Sequence, residues 1–77
     1  MQEQIKVTLK VARELKGLTQ REAASILGIS KDTLSNYERG KSYPDVPLIR
    51  KIEELYGVSY DRIIFLPLDY DKTVNTV

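Results

Sequence analysis

Apolar residues recur along most of the chain at intervals of three and four, the spacing that stacks side chains on one face of a helix. Ile5, Leu9, Ala12 and Leu15 follow that interval and predict a first helix, closed by Gly17. Thr19 then offers a hydroxyl N-cap with Glu22 three residues on, the capping-box spacing, ahead of Ala23, Ala24, Ile26 and Leu27. A short second helix is expected from about Gln20 to Leu27. Gly28 suits a tight reversal of the chain, and Ile29 gives the turn an apolar plug. Ser30 is the next candidate cap. Behind it Thr33, Leu34, Tyr37 and Glu38 share one side while Lys31, Asp32, Ser35, Asn36 and Arg39 point elsewhere, so the third helix has one buried and one polar face.

Gly40 ends that helix, and Lys41 to Asp45 reads as a loop because the residue before Pro44 avoids helical geometry. Pro47 fits the first turn of a fourth helix whose stripe is Leu48, Ile52, Leu55 and Tyr56, ending at Gly57. Ser59 is then placed to cap a fifth helix, Tyr60 to Leu66, terminated by Pro67. The chain from Leu68 to Val77 has no helical period and reads as a tail, in which Thr73 to Val77 suits a short strand in an oligomer. The expected division is therefore one helical domain over residues 1–66 and a C-terminal tail over 67–77.

Composition narrows the class. At 77 residues, with 42% hydrophobic and 30% charged residues, the chain has room for one domain and the balance of a soluble globular fold. No apolar run approaches the roughly 20 residues that span a bilayer, and the start Met1-Gln2-Glu3-Gln4 lacks the charged-then-apolar order of a secretory signal, so no membrane partner and a cytoplasmic location are expected. With no Cys and no His, disulfides, thiolate or imidazole metal sites and the commonest general base are all missing. The lack of a Gly-rich phosphate loop argues further against an enzyme, and neither a cofactor nor a small-molecule substrate is implied.

The net charge of +1 divides unevenly. Lys10 to Lys41 holds seven Lys or Arg against four Asp or Glu, giving +3, and Ser42 to Val77 holds four against six, giving −2. The N-terminal part thus mildly favours a polyanionic partner.

The order of residue types carries more. Arg13-Glu-Leu-Lys-Gly-Leu-Thr-Gln20, Glu22-Ala-Ala24, Leu27-Gly-Ile-Ser30 and Thr33-Leu-Ser-Asn-Tyr-Glu-Arg-Gly-Lys41 resemble the phage repressor/Cro (XRE) helix-turn-helix family. Pro44 and Leu55-Tyr-Gly-Val-Ser59 continue the pattern, so the resemblance covers about residues 5 to 66. It implies an all-α, compact five-helix lambda-repressor-like fold, a double-stranded DNA partner, and a third helix that enters the major groove.

The resemblance sorts the residues. Ala23 and Ala24, together with Leu18, Leu27, Ile29, Leu34, Tyr37, Leu48, Ile52, Leu55 and Val58, read as core that positions the reading helix. Lys31, Asp32 and Asn36 occupy the positions that in such folds face base edges: lysine donates to guanine, asparagine pairs with adenine, and aspartate accepts from cytosine. Thr33 and Ser35 are adaptable to a base or a phosphate. Asp32 departs from the glutamine often found in such helices, and its charge must tolerate nearby phosphates.

Gln20 and Arg21 open the second helix, where an amide and backbone N–H groups meet phosphate oxygens. Ser30 has a cap and a phosphate contact open to it. Arg39, Lys41, Ser42 and Tyr43 form a donor cluster suited to phosphates, although such a run also reads as plain solvated surface. The family further pairs an arginine of the first helix with a glutamate late in the third, which here means a structural salt bridge between Arg13 and Glu38.

Tyr60, Ile63, Ile64, Phe65 and Leu66 offer more apolar surface than a short terminal helix usually buries. Two readings stand open: Ile63 and a neighbour close the core, or Tyr60, Ile64, Phe65 and Leu66 form a homodimer face. Asp69 and Asp71 read as solvated carboxylates rather than a cation site. The expected function is a repressor acting as a homodimer on an inverted-repeat operator. The rival from another class is a protein-interaction module, such as the DNA-binding antitoxin of a toxin-antitoxin pair.

Overall fold

Thr8 separates two kinds of backbone, and its side chain does the work of the switch. Its hydroxyl accepts the Val11 N–H at 3.2 Å and starts helix α1, Leu9–Leu15, while Val7 and Thr8 themselves stay extended as strand β1. This computed structural model describes residues 6–66. Three further helices follow: α2 Gln20–Leu27, α3 Lys31–Glu38 and α4 Val46–Tyr56. A single 3-10 turn, Tyr60–Arg62, and strand β2, Ile63–Ile64, complete the described chain.

Each helix starts on a side-chain cap. In α2 the cap is reciprocal: the Glu22 N–H donates to the Thr19 hydroxyl at 3.0 Å and the Thr19 N–H donates to the Glu22 carboxylate at 2.9 Å. Ser30 caps α3, and Asp45 caps α4 by accepting the Leu48 N–H at 3.0 Å, with Pro47 in the first turn. Between α2 and α3, Gly28 has φ +78°, a left-handed conformation that an L side chain adopts only under strain. The Ile29 N–H then donates back to the Ala24 carbonyl at 3.0 Å, which tightens the turn.

The expected fifth helix is not helical beyond one turn. Ile63 and Ile64 are extended and pair in parallel with β1, Val7 opposite Ile63 and Thr8 opposite Ile64. The same pairing removes the first turn expected of α1. Two β-branched pairs at opposite ends of the described chain are stiff at χ1 and favour a pleated backbone once each supplies the other's ladder bonds. Among the described residues the architecture is thus four α-helices with a small two-stranded sheet.

The core lies where α1, α2, α3 and α4 meet. Leu9, Leu34 and Ile52 are its largest fully enclosed side chains, and Ala23, Ala24 and Leu27 let α2 approach α3 closely. Leu18, Ile29, Tyr37, Leu48, Leu55 and Val58 pack around this centre partly buried. Leu15 and Ile26, counted in the helical stripes from spacing, are exposed at 74% and 60%, because each falls outside the arc its helix turns inward. The buried position on α1 belongs to Arg13 instead. Among the described residues no helix is long and apolar enough to cross a membrane. The tail residues Pro67 to Val77, including Asp69, Asp71 and the strand expected at Thr73 to Val77, lie outside the described residues.

Candidate nucleic-acid interface

One buried polar group ties the three N-terminal helices together. Arg13 on α1 donates from Nε to Glu38 Oε2 at 2.7 Å and from Nη2 to Glu38 Oε1 at 3.3 Å. Its remaining arm, Nη1, donates to the Leu18 carbonyl at 2.8 Å in the α1–α2 connection. Glu38, at the last turn of α3, accepts a third bond on Oε1 from Gln20 Nε2 at 2.9 Å, so α2 is joined as well. Both Arg13 and Glu38 are buried. The hydrogen bond to Glu38 raises the Arg13 pKa above its ordinary range against the opposing effect of burial. Every arm of the fork is used, which is the condition under which a buried ion pair is tolerated.

This group fixes α3 relative to α1 and α2. On α3, Lys31 and Asp32 are exposed, and Thr33, Ser35 and Asn36 are half-buried. Ser30 spends its hydroxyl on the helix start: it accepts the Thr33 N–H at 3.0 Å and donates to the Thr33 hydroxyl at 2.8 Å. The Thr33 hydroxyl proton remains available, whereas the Ser30 proton is engaged.

Gln20 is half-buried because its amide nitrogen is turned to Glu38. A carboxylate only accepts, so the nitrogen rather than the oxygen must face it; one N–H and the amide oxygen stay free to meet a ligand. Arg21, beside it, is exposed, as are Arg39 and Lys41, with Ser42 half-buried. Tyr43 is engaged elsewhere. Its hydroxyl donates to the Leu66 carbonyl at 2.6 Å and its ring meets Phe65 edge-on at 6.3 Å, which leaves no hydroxyl proton for a phosphate.

An open cleft of about 790 Å³ is lined by Lys10, Arg13, Thr19, Gln20, Arg21, Glu22 and Lys31. It draws on α1, α2 and α3 together. Lys10 was not singled out from the sequence, although the signal was present: it stands three residues before Arg13 and so on the same side of α1.

A second surface is apolar. Tyr43, Pro44, Ile49, Tyr60 and Phe65 line a groove of about 310 Å³, with the Tyr60 and Phe65 rings 5.6 Å apart. Ile63 is buried while Ile64 and Tyr60 are exposed at 42% and 54%; Phe65 and Leu66 are half-buried. Strand alternation produces this split, since successive side chains point to opposite sides.

A four-helix body in which the second and third helices are joined by a left-handed glycine turn, with a polar outer face on the third, defines a helix-turn-helix protein. Residues 9–63 match the helix-turn-helix family model HTH_3, and the chain belongs to that family. It is 46% identical over 56 residues to the HTH-type transcriptional regulator ImmR of Bacillus subtilis, covering 73% of this chain and 44% of ImmR. It is 34% identical over 70 residues to the SPbeta prophage-derived uncharacterized HTH-type transcriptional regulator YonR of the same organism, covering 87% of this chain and 65% of YonR. It is also 41% identical over 69 residues to the antitoxin PezA of Streptococcus pneumoniae, covering 90% of this chain and 41% of PezA. The chain thus spans less than two thirds of the length of each of these relatives. Two of these relatives are named as HTH-type transcriptional regulators and one as an antitoxin.

Proposed function

We propose that this chain is a sequence-specific double-stranded-DNA-binding regulator, a repressor that occupies an inverted-repeat operator as a homodimer in the cytoplasm. One observation carries the reading. Helix α3 is anchored by Leu34 and the Glu38–Arg13 pair, and it leaves Lys31 and Asp32 exposed and Thr33, Ser35 and Asn36 half-exposed. A rigid helix with short polar and charged side chains facing outward is what reading base edges in the major groove requires.

Gln20, Arg21, Ser30, Arg39, Lys41 and Ser42 set the helix on the duplex through phosphates, and Ser30 does so through its backbone N–H, since its hydroxyl proton is given to Thr33. Tyr43 contributes through the fold. Tyr60, Ile64, Phe65 and Leu66 supply the dimer face, and a symmetric pair places two copies of α3 about 34 Å apart, one turn of DNA.

The test is selection of bound sequences from a random duplex library. Recovery of a palindrome with half-sites one helical turn apart is the expected result, and Asn36→Ala is expected to lose discrimination at one position of each half-site. An unchanged preference in that variant removes Asn36 from the reading set.

The likeness to PezA supports a second reading, in which the same domain is the DNA-binding part of an antitoxin and a toxin is a further partner. Anisotropy titration with mixed duplex DNA at two salt concentrations separates both from a pure protein-interaction module, which shows no salt-dependent binding.

A further inference from the structure

We propose that Lys10 on α1 is a DNA-backbone contact, so that the duplex is gripped from three helices rather than from α2, α3 and the following loop alone. The proposal rests on the DNA-binding reading above. Its ground is the composition of the cleft between α1, α2 and α3. Lys10, Arg21 and Lys31 reach it from one helix each, and among the described residues none of the three has an ion-pair partner within 4 Å. Arg13, the fourth cation there, is neutralised by Glu38. Among the described residues Glu22 is the one carboxylate lining the cleft, and its Oε1 accepts the Thr19 N–H. Three unpaired cations against one carboxylate, again among the described residues, leave the cleft positive.

Like charges gathered without a counter-ion oppose folding, and an external polyanion relieves that repulsion. Gln20 lines the same cleft with one amide N–H left over from its bond to Glu38, so a neutral donor accompanies the three charges. Cations plus a neutral donor suit a phosphate. Lys10 itself is exposed on a helix that is not the reading helix, and lysine is a flexible point charge. It therefore suits the backbone, whose contacts need charge and reach, rather than a base edge, which needs fixed geometry.

The test is anisotropy titration of the 77-residue chain and of Lys10→Ala on one selected duplex and on mixed duplex DNA across a salt series. Losing one phosphate contact is expected to weaken binding roughly eightfold at about 0.1 M salt and to reduce the slope of log K against log salt by roughly 0.9, with the ranking of sequences unchanged. Lys10→Arg is expected to keep the slope. Both variants are expected to melt with the parent chain, since Lys10 is exposed and has no ion-pair partner among the described residues; a matching melt assigns any change in binding to the contact. An unchanged slope in Lys10→Ala, with the parent chain binding normally, overturns the role of Lys10. So does an altered ranking of sequences, which makes Lys10 a base contact. If the parent chain shows no salt-dependent binding at all, the DNA-binding reading fails first and the Lys10 proposal falls with it.

Discussion

Gln20 Nε2 lies 2.9 Å from Glu38 Oε1, and through that bond the first residue of α2 is oriented by a carboxylate near the end of α3. Glu38 holds Arg13 with the same carboxylate, so one buried anion serves a packing role toward α1 and a positioning role toward the cleft. Arg13→Ala is expected to cost about 3 to 5 kcal/mol, because it strands the Glu38 charge away from water. The double variant Arg13→Ala, Glu38→Ala is expected to lose clearly less than the sum of the two single changes. Chemical denaturation of the four proteins measures the coupling; simple additivity refutes it.

Tyr56 presents the opposite case. It is buried, yet its hydroxyl has no hydrogen-bond partner among the described residues. Burial, followed by the nearby Glu38 charge, pushes its pKa up to about 12 from an ordinary value of 10.0. A raised pKa means stability that is complete below pH 10 and is lost as the pH climbs toward 12. Tyr56→Phe is expected to be neutral or to stabilise by up to about 1 kcal/mol, since it deletes an unsatisfied group, and to flatten the loss of stability over that alkaline window. Denaturation midpoints at neutral and alkaline pH decide the matter, and a large loss at neutral pH contradicts the reading.

The turn between α2 and α3 makes a prediction about backbone alone. A methyl added at Gly28 meets nothing within 4 Å, so no clash accompanies the change. The cost comes from φ +78°, and Gly28→Ala is expected to lose about 1 to 2 kcal/mol with the fold retained. A loss well above that range, measured by thermal melting, requires a packing role for Gly28 that the open space around it does not offer.

Tyr43 separates fold from binding. Tyr43→Phe removes the bond to the Leu66 carbonyl and keeps the ring against Phe65, so a loss of about 1 kcal/mol in stability is expected with duplex affinity unchanged. An affinity that falls with an unchanged melt returns Tyr43 to the phosphate-contacting set.

The local grammar of the chain was legible residue by residue. Thr19 with Glu22, Ser30, Gly28 and Pro47 each signal a helix boundary through chemistry that acts within four residues, and so α2, α3 and α4 stand where their caps and stripes place them. What lay beyond that reach depended on distant partners. Ile63 and Ile64 read as helix until Val7 and Thr8 supply hydrogen bonds from the other end of the described chain, and no periodicity in a four-residue apolar run carries that information.

The candidate site divides the same way. The polar face of α3 follows from spacing, and the Arg13–Glu38 pair came from likeness to a family. The turn of Gln20 toward Glu38 across 18 positions, the loss of the Tyr43 hydroxyl to Leu66, and the arrival of Lys10 beside Arg21 and Lys31 were decided only when the helices packed. Caps and turns are short-range interactions that the chain encodes locally. A shared carboxylate, a paired strand or a cluster of charges exists only once tertiary contacts bring distant residues within a few ångströms of one another.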